Sequence, residues 1–158
     1  MTLQPNVKIP EPESKERLRL WLGILKASRS IEATLREKLR TEFGATLPRF
    51  DVMSALFRFE DGLKMSQISA LLRVSNGNIT WIVDRLAKDG CVVRVPVSGD
   101  RRALLVRLTQ RGKEDFAIQA QAHELWIDEM LSGLSPAESI EMRTKLGQLE
   151  NTPQEIKK

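Results

Sequence analysis

The chain has little of the chemistry from which enzymes and metal sites are built. Its 158 residues include one cysteine, one histidine and no tyrosine. A single cysteine, Cys91, excludes an internal disulfide, and one His with one Cys cannot supply the four ligands of a tetrahedral zinc site. A nucleophile with its base, or paired carboxylates in a cleft, has no evident source here, so no catalytic residue, metal ligand or cofactor is expected. Aromatic residues make up only 5% of the chain. No apolar run approaches the ~18 residues that cross a bilayer. The opening MTLQPNVKIPEPESKE has no apolar stretch behind a basic segment, as a secretory signal would. A cytoplasmic protein with no membrane partner is expected. Prolines at 5, 10 and 12 make 1–13 read as an irregular lead-in, and NTPQEIKK at 151–158 reads as a polar tail.

What is present is a foldable chain with an uneven charge distribution. Hydrophobic residues make up 41% and charged residues 29%, which suits one folded unit with an elongated helical extension. The net charge is +4, yet the segment from Arg73 to Arg111 holds eight basic residues against three acidic ones, a surplus of +5 that leaves the remainder at −1. Basic charge confined to one segment is the electrostatic footprint of a polyanion partner.

Punctuation along the chain predicts a mainly α protein with a small β-hairpin. Ser14 is the expected cap of a long helix through Leu18, Leu22, Leu25, Ile31, Leu35 and Leu39 to Phe43, with Gly44 as its stop. Thr46 and Pro48 open a second helix that buries Val52, Met53, Leu56 and Phe57. Ser66 is the expected cap of a short third helix with Ile68, Leu71 and Leu72. Ser75 caps a fourth, through Asp89, whose Ile79, Val83 and Leu86 share one face. The tight turn between the third and fourth helices suggests a helix-turn-helix. The apolar, β-branched runs Cys91–Val97 and Ala103–Leu108 flank Ser98-Gly99-Asp100 and read as a hairpin, a candidate wing. Thr109 caps a fifth helix to about Leu131, and Ser135-Pro136-Ala137-Glu138 opens a sixth. The apolar stripes of the first, fifth and sixth helices exceed what a small winged domain can cover, so two copies are expected to pair through them as a homodimer. The predicted organisation is a winged helix-turn-helix domain at 46–109 and a helical dimerisation region formed by 14–45 and 110–150.

The fourth helix has the chemistry of a recognition helix for double-stranded DNA. Opposite its apolar face lie Gly77, Trp81, Asp84 and Lys88, flanked by Thr80 and Arg85, with Asn76 and Asn78 in the first turn. Asn bridges the N6 and N7 of adenine, and Arg reads guanine or holds a phosphate. Asn76 and Asn78 equally suit assistance to Ser75 in capping, and that alternative stays open. Trp81 either stacks on deoxyribose or a thymine methyl or packs on a neighbouring element, with packing expected. At the hairpin tip Arg101 and Arg102 suit a narrow minor groove. Asp100 is expected to hold the Arg102 guanidinium in a bidentate pair. Ser75 and Arg94 complete the candidate DNA-binding set.

The segment DRRALLVRLTQRG fits D-x-R-x-x-x-x-x-L-T-x-x-G through Asp100, Arg102, Leu108, Thr109 and Gly112, and so resembles the wing signature of the MarR family of bacterial transcriptional regulators. The likeness spans about Ser14 to Leu149, including LPRFDVMSAL and VSNGNITWIVDRLAKDG. It implies a triangular winged-helix homodimer on a palindromic operator, with terminal helices in the dimer interface. Asn76, Asn78, Thr80 and Arg85 match base- or phosphate-contacting positions of the family, and the wing arginines match its minor-groove probes; Trp81 departs from the basic or small residue usual there. The resemblance further implies a repressor released by a small aromatic effector. By location the effector candidates are Trp21, Arg29, Arg36, Phe50, Phe57, His123 and Trp126. His123 also suits a hydrogen-bonded histidine in a helix seam, and the tryptophans also suit a core. RLRLWLGILKASRSIE and EFGATLPRFDVM are similar to a branch that answers to hydroxycinnamoyl or benzoyl coenzyme A thioesters. The peroxide-sensing branch uses a cysteine near the first helix, absent here, so Cys91 is expected to be a small buried hydrophobe. The rival reading is a winged-helix module that binds protein rather than DNA, which leaves the basic wing unexplained.

Overall fold

A computed structural model of the chain describes residues 12–150. The order of elements is α1 (Pro12–Phe43), α2 (Leu47–Arg58), α3 (Met65–Leu72), α4 (Asn76–Lys88), β1 (Val92–Val97), β2 (Asp100–Leu108), α5 (Gln110–Met130) and α6 (Pro136–Glu150). This is the mainly helical fold with a hairpin wing that the sequence predicts. The lead-in at 1–11 and the tail at 151–158 lie outside the described residues. The chain divides into two compact units, with the boundary at Ala120/Gln121 inside α5.

Several helix ends follow local chemistry. Thr46 caps α2, its hydroxyl oxygen accepting the Arg49 N–H at 3.3 Å, with Pro48 in the first turn. Two of the expected caps are displaced. Ser14 lies inside the first turn of α1, and Ser66 is the second residue of α3. The N-cap of α3 is Lys64, whose backbone N–H is held at 2.8 Å by the Gln67 side-chain carbonyl, so this helix starts from the glutamine half of a capping box. Ser75 occupies the N-cap position of α4 but makes no side-chain capping bond. The turn between α3 and α4 is instead made by Arg73, at φ 52°, and by the Ser69 hydroxyl, which donates to the Val74 carbonyl. A left-handed non-glycine residue costs roughly 1–2 kcal/mol. Here the Val74 N–H also bonds the Ser69 carbonyl at 3.2 Å, so both ends of the turn are tied to one serine.

The first unit holds the core. Leu39 of α1, Val52, Met53 and Leu56 of α2, Ile68 of α3, and Ile79, Val83 and Leu86 of α4 are almost fully buried, joined by Val106 of the hairpin. Ile82 is buried as well, widening the apolar face of α4 beyond the expected three residues. Arg49 of α2 fastens the end of α4. Its guanidinium donates to the Asp89 carboxylate at 2.5 Å and reaches the Cys91 sulfur at 3.7 Å. That bond holds the Asp89 carboxyl below the usual carboxylate range. Burial pushes the Cys91 thiol up, in keeping with the small buried hydrophobe expected.

The hairpin is antiparallel and irregular at its tip. Pairing runs from Val92↔Leu108 to Pro96↔Leu104 and then steps to Val97↔Asp100 around a Ser98-Gly99 turn. β2 therefore starts at Asp100, earlier than the expected Ala103, but Arg101, Arg102 and Ala103 have no partner across the ladder. At the other end Leu63 forms an isolated bridge to Val106, with N–H to carbonyl distances of 3.0 and 2.8 Å. Gly62 is required for that approach, since a Cβ there would lie 2.6 Å from the Arg107 Cγ and 2.9 Å from the Val106 carbonyl.

The root of the hairpin explains the L-T-x-x-G spacing. The Thr109 hydroxyl donates to the Gly90 carbonyl at 2.7 Å and accepts the Gly112 N–H at 3.0 Å, while the Thr109 N–H bonds the Cys91 carbonyl at 2.9 Å. Gly112 sits so close to Cys91 that a Cβ would overlap its carbonyl oxygen. In the second unit Ser135 and Glu138 form the expected capping box, at 2.8 Å from the Ser135 N–H to the Glu138 carboxylate and 3.3 Å from the Glu138 N–H to the Ser135 hydroxyl oxygen. No residue of α6 is buried.

The close contact at Gly112 can be tested against an open helical position, Gly77. Gly112→Ala is expected to cost about 1–3 kcal/mol or more by forcing apart the start of α5 and the start of β1. Gly77→Ala, at a helical position with no neighbour within 4 Å, is expected to gain up to about 1 kcal/mol. Thermal melts of both variants check this, and equal melting temperatures contradict the close contact. Asp89→Asn is expected to lower the melting temperature at neutral pH. A carboxyl held low in the fold contributes above its unfolded pKa, about 3.9, and that contribution fades as pH falls through its folded value. The gap between Asp89→Asn and the parent should therefore close below about pH 4, and a gap that persists in acid contradicts the ion pair.

Candidate nucleic-acid interface

α4 presents an exposed polar face. Asn76, Gly77, Asn78, Thr80, Trp81, Asp84, Arg85 and Lys88 are all exposed, opposite the buried Ile79, Ile82, Val83 and Leu86. Among the described residues no side-chain hydrogen bond occupies Asn76 or Asn78, so neither amide acts as a cap. The Thr80 hydroxyl donates to the Asn76 carbonyl at 2.9 Å. Arg85 and Lys88 enter no ion pair among the described residues. The face thus carries uncommitted amides at its N-terminal end and uncommitted cations towards its C-terminal end, the donor and acceptor types that suit base edges and phosphates.

Trp81 does not pack as expected, for its side chain is 66% exposed. It borders a notch of about 230 Å³ shared with Gly44, Thr46, Arg49, Ile82 and Arg85, beside the start of α2. Next to it Gly44, Arg49, Arg85, Asp89 and Gln119 line a larger polar hollow of about 460 Å³.

The wing departs from expectation at Asp100. Its carboxylate accepts the backbone N–H of Arg102 at 3.0 Å, and no ion pair joins Asp100 to Arg102 among the described residues. Asp100 therefore shapes the main chain of the tip rather than the guanidinium, because a residue two positions on presents its N–H where the acid folds back. Arg102 is exposed and unpaired among the described residues, and the Arg101 side chain lies outside them. Arg94, on β1, is not free: it forms an ion pair with Asp84 of α4. Among the described residues no group of three or more His, Cys, Asp or Glu side chains could hold a metal ion, and no helix is long and apolar enough to cross a membrane.

The effector candidates are scattered. Phe50 is buried and Phe57 half-exposed, and both lie against the Phe116 ring, at centroid distances of 5.4 and 5.0 Å. Arg36 pairs with Glu32 at 3.7 Å. Burial first, and Glu32 second, push the Asp51 carboxyl up, with Arg36 opposing them. Arg29 is exposed on α1, and Trp21, roughly 12 Å further back along the helix, is more than half exposed, contrary to a core role. His123 and Trp126 belong to the second unit, where Trp126 is buried and burial lowers the His123 pKa. The features that sequence reasoning missed, the Arg49–Asp89 tie and the Phe116 ring, join positions 40 or more residues apart, and only the Phe116 side had a local signal, in the apolar stripe of α5.

A family model described as MarR family matches residues 43–103, from the end of α1 through the hairpin tip. The uncharacterized HTH-type transcriptional regulator YkoM of Bacillus subtilis (strain 168) is 30% identical over 129 residues, 81% of this chain and 82% of that protein. The transcriptional activatory protein BadR of Rhodopseudomonas palustris is 30% identical over 105 residues, covering 65% of this chain and 59% of that one. Among solved structures, a MarR family transcriptional regulator from Silicibacter pomeroyi is 33% identical with a TM-score of 0.73, covering 91% of this chain and 100% of that one. A mutant MarR from E. coli, complexed with operator DNA, is alike in fold, with a TM-score of 0.72 at 24% identity over 85% of this chain and 95% of that one. Likeness to YkoM and to the Silicibacter regulator over four-fifths or more of both chains, on a fold with the same wing and helix-turn-helix, makes this chain a member of the MarR family of transcriptional regulators, and not an enzyme.

Proposed function

We propose that the chain is a cytoplasmic, DNA-binding transcriptional repressor that grips a palindromic operator as a homodimer and is released by a small aromatic effector. The observation that carries this reading is the exposed face of α4, where Asn76, Asn78, Arg85 and Lys88 enter no side-chain hydrogen bond or ion pair among the described residues, beside the exposed wing arginine Arg102. In this reading Ser75, Asn76, Asn78, Thr80 and Arg85 meet base edges and phosphates in the major groove. Lys88 and Trp81 meet the flanking backbone, and Arg101 and Arg102 enter the adjacent minor groove, with Asp100 setting the tip. Exposed Leu18, Leu20, Trp21 and Leu22 on α1, and Ile140, Met142, Leu146 and Leu149 on α6, support pairing of two copies through residues 14–45 and 110–150. The operator DNA held by the E. coli neighbour supports the same partner.

The effector is an aromatic acid or its coenzyme A thioester, with Trp21, Arg29, Arg36, Phe50 and Phe57 as its candidate contacts in the first unit and His123 and Trp126 as separate candidates in the second. Binding shifts the dimer towards a form whose recognition helices no longer match half-sites about 34–36 Å apart, which requires different ligand affinities for the two forms. Likeness to BadR, a transcriptional activatory protein, favours activation as a second reading of the regulatory outcome. A winged module that binds only protein leaves the exposed arginines without a role.

Binding to a two-fold operator is expected to weaken with salt at a log–log slope of roughly −0.9 per phosphate contact. Arg102→Ala is expected to lose more affinity on A·T-rich flanks than on G·C-rich ones. Fluorescence anisotropy across salt and flank sequence measures both, and a flat salt response favours the protein-binding module instead. In a thermal-shift comparison of aromatic acids with their coenzyme A thioesters, the true effector should raise the melting temperature and lower operator affinity together. A ligand that does the first without the second removes the release mechanism.

A further inference from the structure

The ion pair between Asp84 and Arg94 joins the recognition helix to the wing. Asp84 stands on the exposed face of α4, between Trp81 and Lys88, and Arg94 lies in the middle of β1. Lys88 is one turn along the same helix, the usual place for a partner at i+4. Yet among the described residues the carboxylate pairs with Arg94 and not with Lys88. The Arg94 side chain is 32% exposed against 60% for Asp84, so the guanidinium is the more enclosed member. Its strand position is firm, because Arg94 pairs across the ladder with Val106, which is fully buried and bridged on its other side to Leu63.

We infer that Arg94 is a positioning residue rather than a DNA contact: its bond to Asp84 ties the middle of β1 to the recognition helix and neutralises a carboxylate that would otherwise repel the phosphates. This rests on the DNA-binding function proposed above and reassigns one residue of the candidate interface. Two physical consequences separate it from the alternative. A residue that touches phosphate contributes to counterion release, whereas a cation already neutralised by a carboxylate does not. A strut also acts jointly with its partner, so the effects of removing the two residues are not independent.

The test compares the parent with Arg94→Ala, Asp84→Ala and the double variant, using operator binding across a salt series and amide hydrogen exchange of the free proteins. Arg94→Ala is expected to weaken operator binding at least tenfold with an unchanged salt slope, and the double variant is expected to bind more tightly than Arg94→Ala alone because the bare carboxylate is gone. Asp84→Ala in the parent brings no such gain. Exchange at Val93–Val97 should quicken in both single variants while Ile79–Leu86 stays protected. Arg94→Gln, which keeps much of the side-chain stem, replaces Arg94→Ala if the latter melts early. A slope shallower by about 0.9 in Arg94→Ala, equal effects of Asp84→Ala in both backgrounds, or unaltered strand exchange overturns the strut. A parent that binds no duplex defeats the DNA-binding reading instead, and hydrogen exchange still decides the strut.

Discussion

The geometry of the winged half depends on the closure at Gly90, Cys91, Thr109 and Gly112. A hairpin connected to a helix at each end pivots freely unless its two ends are tied at one place. Here a single hydroxyl does so, giving its proton to the Gly90 carbonyl that ends α4 and receiving the N–H of Gly112 that begins α5. The absence of a side chain at Gly112 brings α5 into contact with the Cys91 carbonyl. The direction in which the hairpin leaves the core is thus set at its root by the Thr109 hydroxyl and the Gly112–Cys91 contact, with the Asp84–Arg94 pair bracing β1 further out.

The three acids within the basic segment have a common logic. Asp84 is held by Arg94, Asp89 by Arg49, and Asp100 by the Arg102 backbone N–H. Each carboxylate is satisfied internally, two by cations and one by main chain. Arg85, Lys88, Arg102 and Arg107 enter no ion pair among the described residues, although the Asp89 carboxylate feels the Arg85 charge. The net charge of +4 understates how basic this segment is, because the segment carries +5 and the remainder of the chain −1.

Much of the fold was legible because its punctuation is local. Thr46, Gly44, Thr109 and the Ser135–Glu138 pair each act within a few residues, and each marks an end where the sequence puts it. Ser14 and Ser66 misled because serine suits both a cap and a helical first turn, and the choice for α3 was made by Gln67 reaching back to Lys64. Spacing placed Asp100 near Arg102 but could not say whether the carboxylate meets the guanidinium or the amide. The exposed face of α4 was readable from its periodicity. The exposure of Trp81 was not, since period alone does not show whether another element covers a residue. Pairings such as Arg49–Asp89 and Asp84–Arg94 have no local signature and required the fold.

The step in the hairpin register has a consequence for solubility. β2 is flanked on its far side by Leu63, which leaves the outer edge of β1 as an open row of backbone groups, a template for strand addition by another molecule. Pro96 deletes one donor from that row, and the arc of Arg101 to Ala103 twists the hairpin out of the flat form that such stacking needs. The irregular tip and Pro96 thus each interrupt the regular edge that strand addition uses.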